Sequence, residues 1–306
     1  MPYFPDFLPT TANNLTESAS IALAHSIRRT DIITPLSPQP NAVMRPVSIA
    51  TGYVCEGAGS PPILLLHGFD SSVLEFRRLL PLLAPHRQTY ALDLLGFGFT
   101  DRMAGTPFDP PAIKTHLKSF WKTIIGEPVI LVGVSMGGAA AIDFTTTYPH
   151  AVKQLVLINS AGFAKDPLLA KFMPSPLLYM ATEFLRNPQV RQNVAIRAYK
   201  NPKFATTDAC VCADMHLQMD GWNQAMMAFT KSGGYSFLSA EFISKIDKKT
   251  LTLWGDSDKI LGTGYAQKFA AAIPDNQLIW IDDCGHVPHL EKPEITAKYI
   301  LDFIGN

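Results

Sequence analysis

Short apolar runs recur along this 306-residue chain, each followed by a stretch of helical spacing. Ile63–Leu66, Thr89–Asp93, Val129–Val134, Gln154–Asn159, Thr250–Trp254 and Gln277–Ile281 are runs of four to six residues, rich in β-branched and aliphatic side chains, that predict buried strands. Between them the apolar positions repeat every three or four residues. Ser72, with Glu75 as the other half of a capping box, predicts a helix carrying Leu79, Leu80 and Leu83 inward. Further helices are predicted over Pro111–Ile125, from the glycine-rich stretch after Val134 to Tyr148, near Thr263–Ala272, and over Pro293–Ile304. Strands alternating with helices imply a mostly parallel sheet covered on both faces, with ligands at the carboxyl ends of the strands.

The alternation stops after Gly162. Residues 163–245 hold helix-like pieces separated by Pro174, Pro176, Pro188 and Pro202, which predicts a helical lid inserted into the α/β core. The core is then 43–162 plus 246–306, with Val43–Glu56 alternating as an antiparallel hairpin. Residues 1–42 form an N-terminal extension. In it Asn14 and Glu17 suit the start of a helix whose apolar face is Leu15, Ala19, Ala22, Leu23 and Ile27, with Arg28 and Arg29 in its last turn. That extension either packs on the core, the favoured reading, or makes a peripheral membrane contact.

The chain is 47% hydrophobic and 17% charged, enough apolar material for a sizeable core. A net charge of zero gives no electrostatic case for nucleic acid as a partner. No apolar run reaches the length of a membrane span, and no basic segment leads into an apolar signal region. Cys55, Cys210, Cys212 and Cys284 have no metal-binding spacing and are expected as free thiols, which points to a reducing, cytoplasmic setting. No residue implies a metal or an organic cofactor.

The chemistry centres on Gly133-Val-Ser135-Met-Gly137, a G-x-S-x-G turn between a predicted strand and helix. A serine there needs small flanking residues, because neighbouring backbone crowds the turn. Its hydroxyl is a poor nucleophile unless a base takes its proton and an acid orients that base. Asp256 and Asp258 follow one later strand; Asp282, Asp283, His286 and His289 follow the next.

Taken with His67-Gly68, Asp93-x-x-Gly96-x-Gly98, Trp254-Gly-x-x-Asp258 and Gly285-His286, this order resembles the lid-bearing branch of the α/β-hydrolase superfamily over roughly residues 45–304. The resemblance implies the α/β-hydrolase fold, with Ser135 as nucleophile, His286 as general base and Asp258 as its orienting carboxylate. It also implies an oxyanion hole made by the N–H groups of Phe69 and Met136. Asp282 and Asp283 are then surface or turn carboxylates. His289 lies near the surface or bonds to backbone, and Cys284 is a filler. Serine at the elbow excludes the relatives that use an aspartate there. The function implied is hydrolysis of a carboxylic ester through an acyl-enzyme. A slow-turnover ligand receptor of the same fold and a carbon–carbon bond hydrolase are the alternatives. Met173, Met180, Met215, Met219, Met226 and Met227, with Phe163, Phe172, Tyr179, Phe184, Trp222 and Phe229, are expected to line a cavity for a bulky apolar ester.

Overall fold

The computed structural model describes residues 4–37, 43–163 and 173–305. Its strands are β1 (Arg28–Leu36), β2 (Arg45–Glu56), β3 (Ile63–Leu66), β4 (Thr89–Leu92), β5 (Val129–Val134), β6 (Val152–Ile158), β7 (Thr250–Gly255) and β8 (Asn276–Ile281). They form one sheet in the order β1-β2-β4-β3-β5-β6-β7-β8. The β1–β2 and β2–β4 pairs are antiparallel and the others parallel. Among the described residues the helices are α1 (Ser18–Ser26), α2 (Leu80–Leu83), α3 (Pro110–Phe120), α4 (Met136–Thr147), α5 (Ser175–Phe184), α6 (Pro188–Ala198), α7 (Thr207–Asp214), α8 (Trp222–Ser232), α9 (Ala240–Ile243), α10 (Gly264–Ala272), α11 (Pro288–Glu291) and α12 (Pro293–Ile304).

Every residue of β5 is buried, and its side chains divide between two cores because successive residues point to opposite faces. Val129 and Leu131 pack with α3, α4 and α10, whereas Ile130, Val132 and Val134 pack with α1, α2 and α12. The helical insertion expected to act as a lid, α5 to α9, lies between β6 and β7 in the chain. Its Met215, Trp222, Met226 and Phe229 are buried in these same cores.

The N-terminal segment departs from expectation. Arg28 and Arg29 open β1 instead of closing a helix, and β1 pairs with β2 along nine residues, so the sheet begins inside the predicted extension. Residues 43–56 make no hairpin of their own: β2 is a single strand flanked by β1 and β4. Helix α1 starts at Ser18 without a cap from Asn14. The carboxylate of Asp208, in α7 of the lid, serves its N-terminus, accepting from the N–H groups of Thr16 (2.5 Å) and Glu17 (2.8 Å) and from Ser20 Oγ (2.5 Å). Leu15, Leu23 and Ile27 are buried, so the apolar positions that a membrane contact would need are largely spent on the core. Among the described residues no helix is long and apolar enough to cross a membrane.

Candidate active site

Ser135 sits between β5 and α4 with φ 49° and ψ −119°, a conformation that non-glycine residues rarely adopt. The turn tolerates nothing larger than glycine beside it. A Cβ on Gly137 would collide with the carbonyl oxygens of Leu66 and His67, and one on Gly133 with the carbonyl of Gly137. Ser135 N–H donates to Ile158 O (3.0 Å), fixing the elbow to β6.

At the end of β7, Asp258 is 6% exposed. One of its oxygens, Oδ1, accepts from the N–H groups of Ile260 (2.7 Å) and Leu261 (3.1 Å). The other, Oδ2, accepts from Asn159 Nδ2 (2.8 Å) and lies 2.9 Å from His286 Nδ1. With Nδ1 as donor, Nε2 is the nitrogen left to act as base. Burial works to raise the Asp258 carboxyl pKa, but the hydrogen bonds from His286, Asn159 and Ile260 hold it below the ordinary value. Ser135 and His286 line one cavity of about 340 Å³, whose other walls come from the Gly68–Ser71 loop, α6 and α7. That loop lies against the elbow: a Cβ on Gly68 would stand 3.4 Å from Ser135 Cβ.

Asp256 is exposed; it accepts from the N–H groups of Asp283 (3.0 Å) and Cys284 (3.2 Å) and so shapes the turn before His286. Asp282 and Asp283 are exposed, and Cys284 is a buried free thiol whose pKa burial pushes far up, out of the range of a neutral-pH nucleophile. His289 is buried rather than superficial, with Nε2 3.0 Å from Glu75 Oε1. Glu75 makes no capping box. Its Oε2 accepts from Gly68 N–H (2.8 Å), one residue before the expected oxyanion donor Phe69. Burial opposes the Glu75 charge, yet His289, His67 and Gly68 N–H bring its pKa down to about 2. His67 is neutral: Nδ1 donates to Gly68 O (2.7 Å), Nε2 accepts from Leu94 N–H (3.1 Å), and burial lowers its pKa to about 4.

Asp70 holds the far end of the loop at φ 50°. It accepts from Arg191 Nη1 (2.5 Å), His216 Nε2 (3.0 Å) and Trp222 Nε1 (2.8 Å), all lid residues. The sequence reading missed Glu75, Asp70, Asn159 and Arg191. Only Asp70, next to the His67-Gly68-Phe69 motif, gave a local signal. The expected lining is corrected: none of the six methionines, and none of Phe163, Tyr179, Phe184, Trp222 and Phe229, lines the cavity, which is walled by aliphatic residues such as Leu185, Val190, Val194 and Leu290. Phe172 lies outside the described residues.

The family model described as "alpha/beta hydrolase fold" matches residues 61–293, more than half of the chain. The chain belongs to the α/β-hydrolase family. It is 35% identical over 302 residues to the alpha/beta hydrolase domain-containing protein VTE7 of Arabidopsis thaliana, covering 98% of this chain and 90% of that one. It is 30% identical over 264 residues to 2-hydroxy-6-oxo-6-(2'-aminophenyl)hexa-2,4-dienoic acid hydrolase of Metapseudomonas resinovorans, covering 84% of this chain and 88% of the relative. Lipase 1 of Psychrobacter immobilis is 28% identical over 245 residues, covering 77% of this chain and 74% of the lipase.

Proposed function

We propose that this α/β hydrolase cleaves a carboxylic ester with a bulky apolar moiety through an acyl-enzyme on Ser135. The observation that carries the reading is that Ser135, at a strained elbow, and His286, oriented by Asp258, open on one largely aliphatic cavity. Ser135 Oγ attacks the carbonyl while His286 Nε2 takes its proton. The Asp258 carboxylate stabilises the imidazolium that forms. The N–H groups of Phe69 and Met136 would receive the oxyanion, each such donor contributing on the order of 3–4 kcal/mol. His286 then passes the proton to the leaving alkoxide, and a water deprotonated by His286 releases the acid.

The lipase relative supports ester chemistry. Ser135→Ala is expected to abolish both turnover of p-nitrophenyl esters and labelling by a fluorophosphonate. Activity surviving that change removes the assignment. In an acyl-chain series, preference for long chains supports the apolar cavity as the acyl site, whereas preference for acetate argues against it. A second reading, carbon–carbon bond hydrolysis, draws on the dienoic acid hydrolase. Turnover of a vinylogous diketone that outpaces every ester would put it first.

A further inference from the structure

The cavity that holds Ser135 and His286 is fastened from outside by a segment that takes no part in its wall. Two wall residues, Val194 and Ile260, are 54% and 40% exposed and stand at the mouth, whereas Tyr199, Ala209, Cys212 and Leu290 are buried and make the inner part. Ala209 and Cys212 belong to α7, and Leu290 to α11, just after His286. Among the described residues, none of 4–27 lines the cavity. Glu17 is nevertheless tied to both of those walls. Its N–H and that of Thr16 donate to the Asp208 carboxylate in α7, which also accepts from Ser20 Oγ. Its own carboxylate accepts from Arg78 Nε (2.7 Å) and Nη2 (3.0 Å), and Arg78 Nη1 donates to Leu290 O (2.8 Å). The same carboxylate stands 3.9 Å from Nε of Arg77, an ion pair with a third wall residue. Farther out, Gln218 Nε2, in the turn after α7, donates to Thr11 Oγ1 (3.1 Å), and Leu8, Ala12 and Leu15 share a buried core with Cys212.

Helix α7 is eight residues long, too short to keep its place by its own hydrogen bonds. What holds it is therefore what fixes that side of the cavity. Asp208 is 4% exposed, and hydrogen bonds to a buried carboxylate are strong ties, because breaking them leaves a charge unsatisfied. We propose that residues 4–27 are a strap that sets the room in the inner part of the cavity, with Glu17 and Asp208 as its positioning residues. Esters whose apolar moiety reaches Ala209, Cys212 and Leu290 then depend on the strap. Short esters, which occupy only the space beside Ser135, do not. This refines the proposed ester-hydrolase reading and rests on it for the substrates named.

The test compares full-length wild type, Glu17→Ala and Asp208→Ala on p-nitrophenyl acetate and p-nitrophenyl decanoate, at a temperature where melts show each protein folded. For decanoate, kcat/KM is expected to fall about tenfold through KM, the equivalent of about two methylene groups no longer buried. For acetate it is expected to stay within about twofold, since the strap touches nothing at the reacting carbonyl. Glu17→Gln, which keeps one oxygen for Arg78, and Asp208→Asn, which keeps one for the N–H groups, are expected to retain part of the decanoate activity. A variant that had merely lost stability would lose both esters in proportion. Losses of equal size for the two esters, or no loss for either, overturn the proposal. Calorimetric binding of 1-octanol to Ser135→Ala protein reads the strap without hydrolysis, and adding Asp208→Ala is expected to weaken it to a similar degree. Wild-type protein that hydrolyses no ester, while octanol binding still depends on Asp208, removes the ester reading alone. Hydrolysis with a decanoate KM indifferent to Glu17 and Asp208, and octanol binding absent or equally indifferent, removes the strap alone.

Discussion

Asn159 shows how a residue that cannot do the chemistry can still position it. At φ 41° it ends β6, gives Nδ2 to Asp258 and accepts from Gly255 N–H with Oδ1 (3.2 Å), joining two strand ends. Asp258→Asn is expected to lower kcat by roughly 10⁴-fold, because an amide can present the wrong partner to His286 Nδ1; steady-state kinetics on an activated ester measures it. Asn159→Ala leaves the carboxylate in place with one donor fewer, so a smaller loss, about tenfold in kcat with KM little changed, is expected in the same assay. Glu75→Ala frees Gly68 N–H beside the proposed oxyanion donor and should likewise lower kcat rather than raise KM. The proposed catalytic positions could be named from sequence because each sits in a short motif at a strand end. The positioning residues could not: Glu75 and Asn159 have roles set by partners about seven residues and about a hundred residues away, and nothing local marks either.

Among the elements, α1 was misread for the same reason. Its helical spacing was visible, but its true cap is Asp208 in the lid, 192 residues from Thr16. The β1 strand was missed because Arg28-Arg29-Thr-Asp-Ile-Ile-Thr-Pro-Leu36 has the alternation of an edge strand, buried only at Ile32, Thr34 and Leu36. The proline within it, Pro35, faces Pro46 across the pair, as edge positions allow. Strands buried on both faces, by contrast, announced themselves as unbroken apolar runs. Asp208→Ala would leave the N–H groups of Thr16 and Glu17 without their acceptor and is expected to cost about 2–3 kcal/mol. Urea unfolding measures that loss, and limited proteolysis should show cleavage moving into residues 4–27 and α7. No change in either would mean that the segment is held by its apolar contacts alone.

For the molecule as a whole, acid stability follows from histidines that the fold keeps neutral. Burial lowers the pKa of His67 to about 4 and that of His116 to about 3, and lowers that of His216 despite Asp70. Unfolded, each would take a proton near 6.5, so as pH falls from about 6.5 toward 4 the unfolded chain binds protons that the folded one refuses. Their contribution to stability is complete above 6.5 and is lost on acidification. Asp93 runs the other way. Burial raises it to about 7 against its backbone donors Phe99 and Val73, so its contribution is present at low pH and lost as pH rises through 7. Burial also raises the carboxyl of Asp143, and three histidines against these two aspartates predict a thermal midpoint that drops between pH 7 and 5. His116→Gln, which keeps a donor for Thr51 Oγ1 (2.8 Å from Nε2 in the wild type), should flatten that slope. A midpoint independent of pH over this range would contradict the assignment.

His286 N–H donates to Ala198 O (2.7 Å) at the end of α6, while Glu291 accepts from Gly285 on one side and from Lys200 and Asn201 on the other. The proposed proton acceptor therefore hangs from the cover as much as from the sheet. Under the proposed mechanism, a guest that displaced that cover would shift the imidazole with it, tying recognition to turnover.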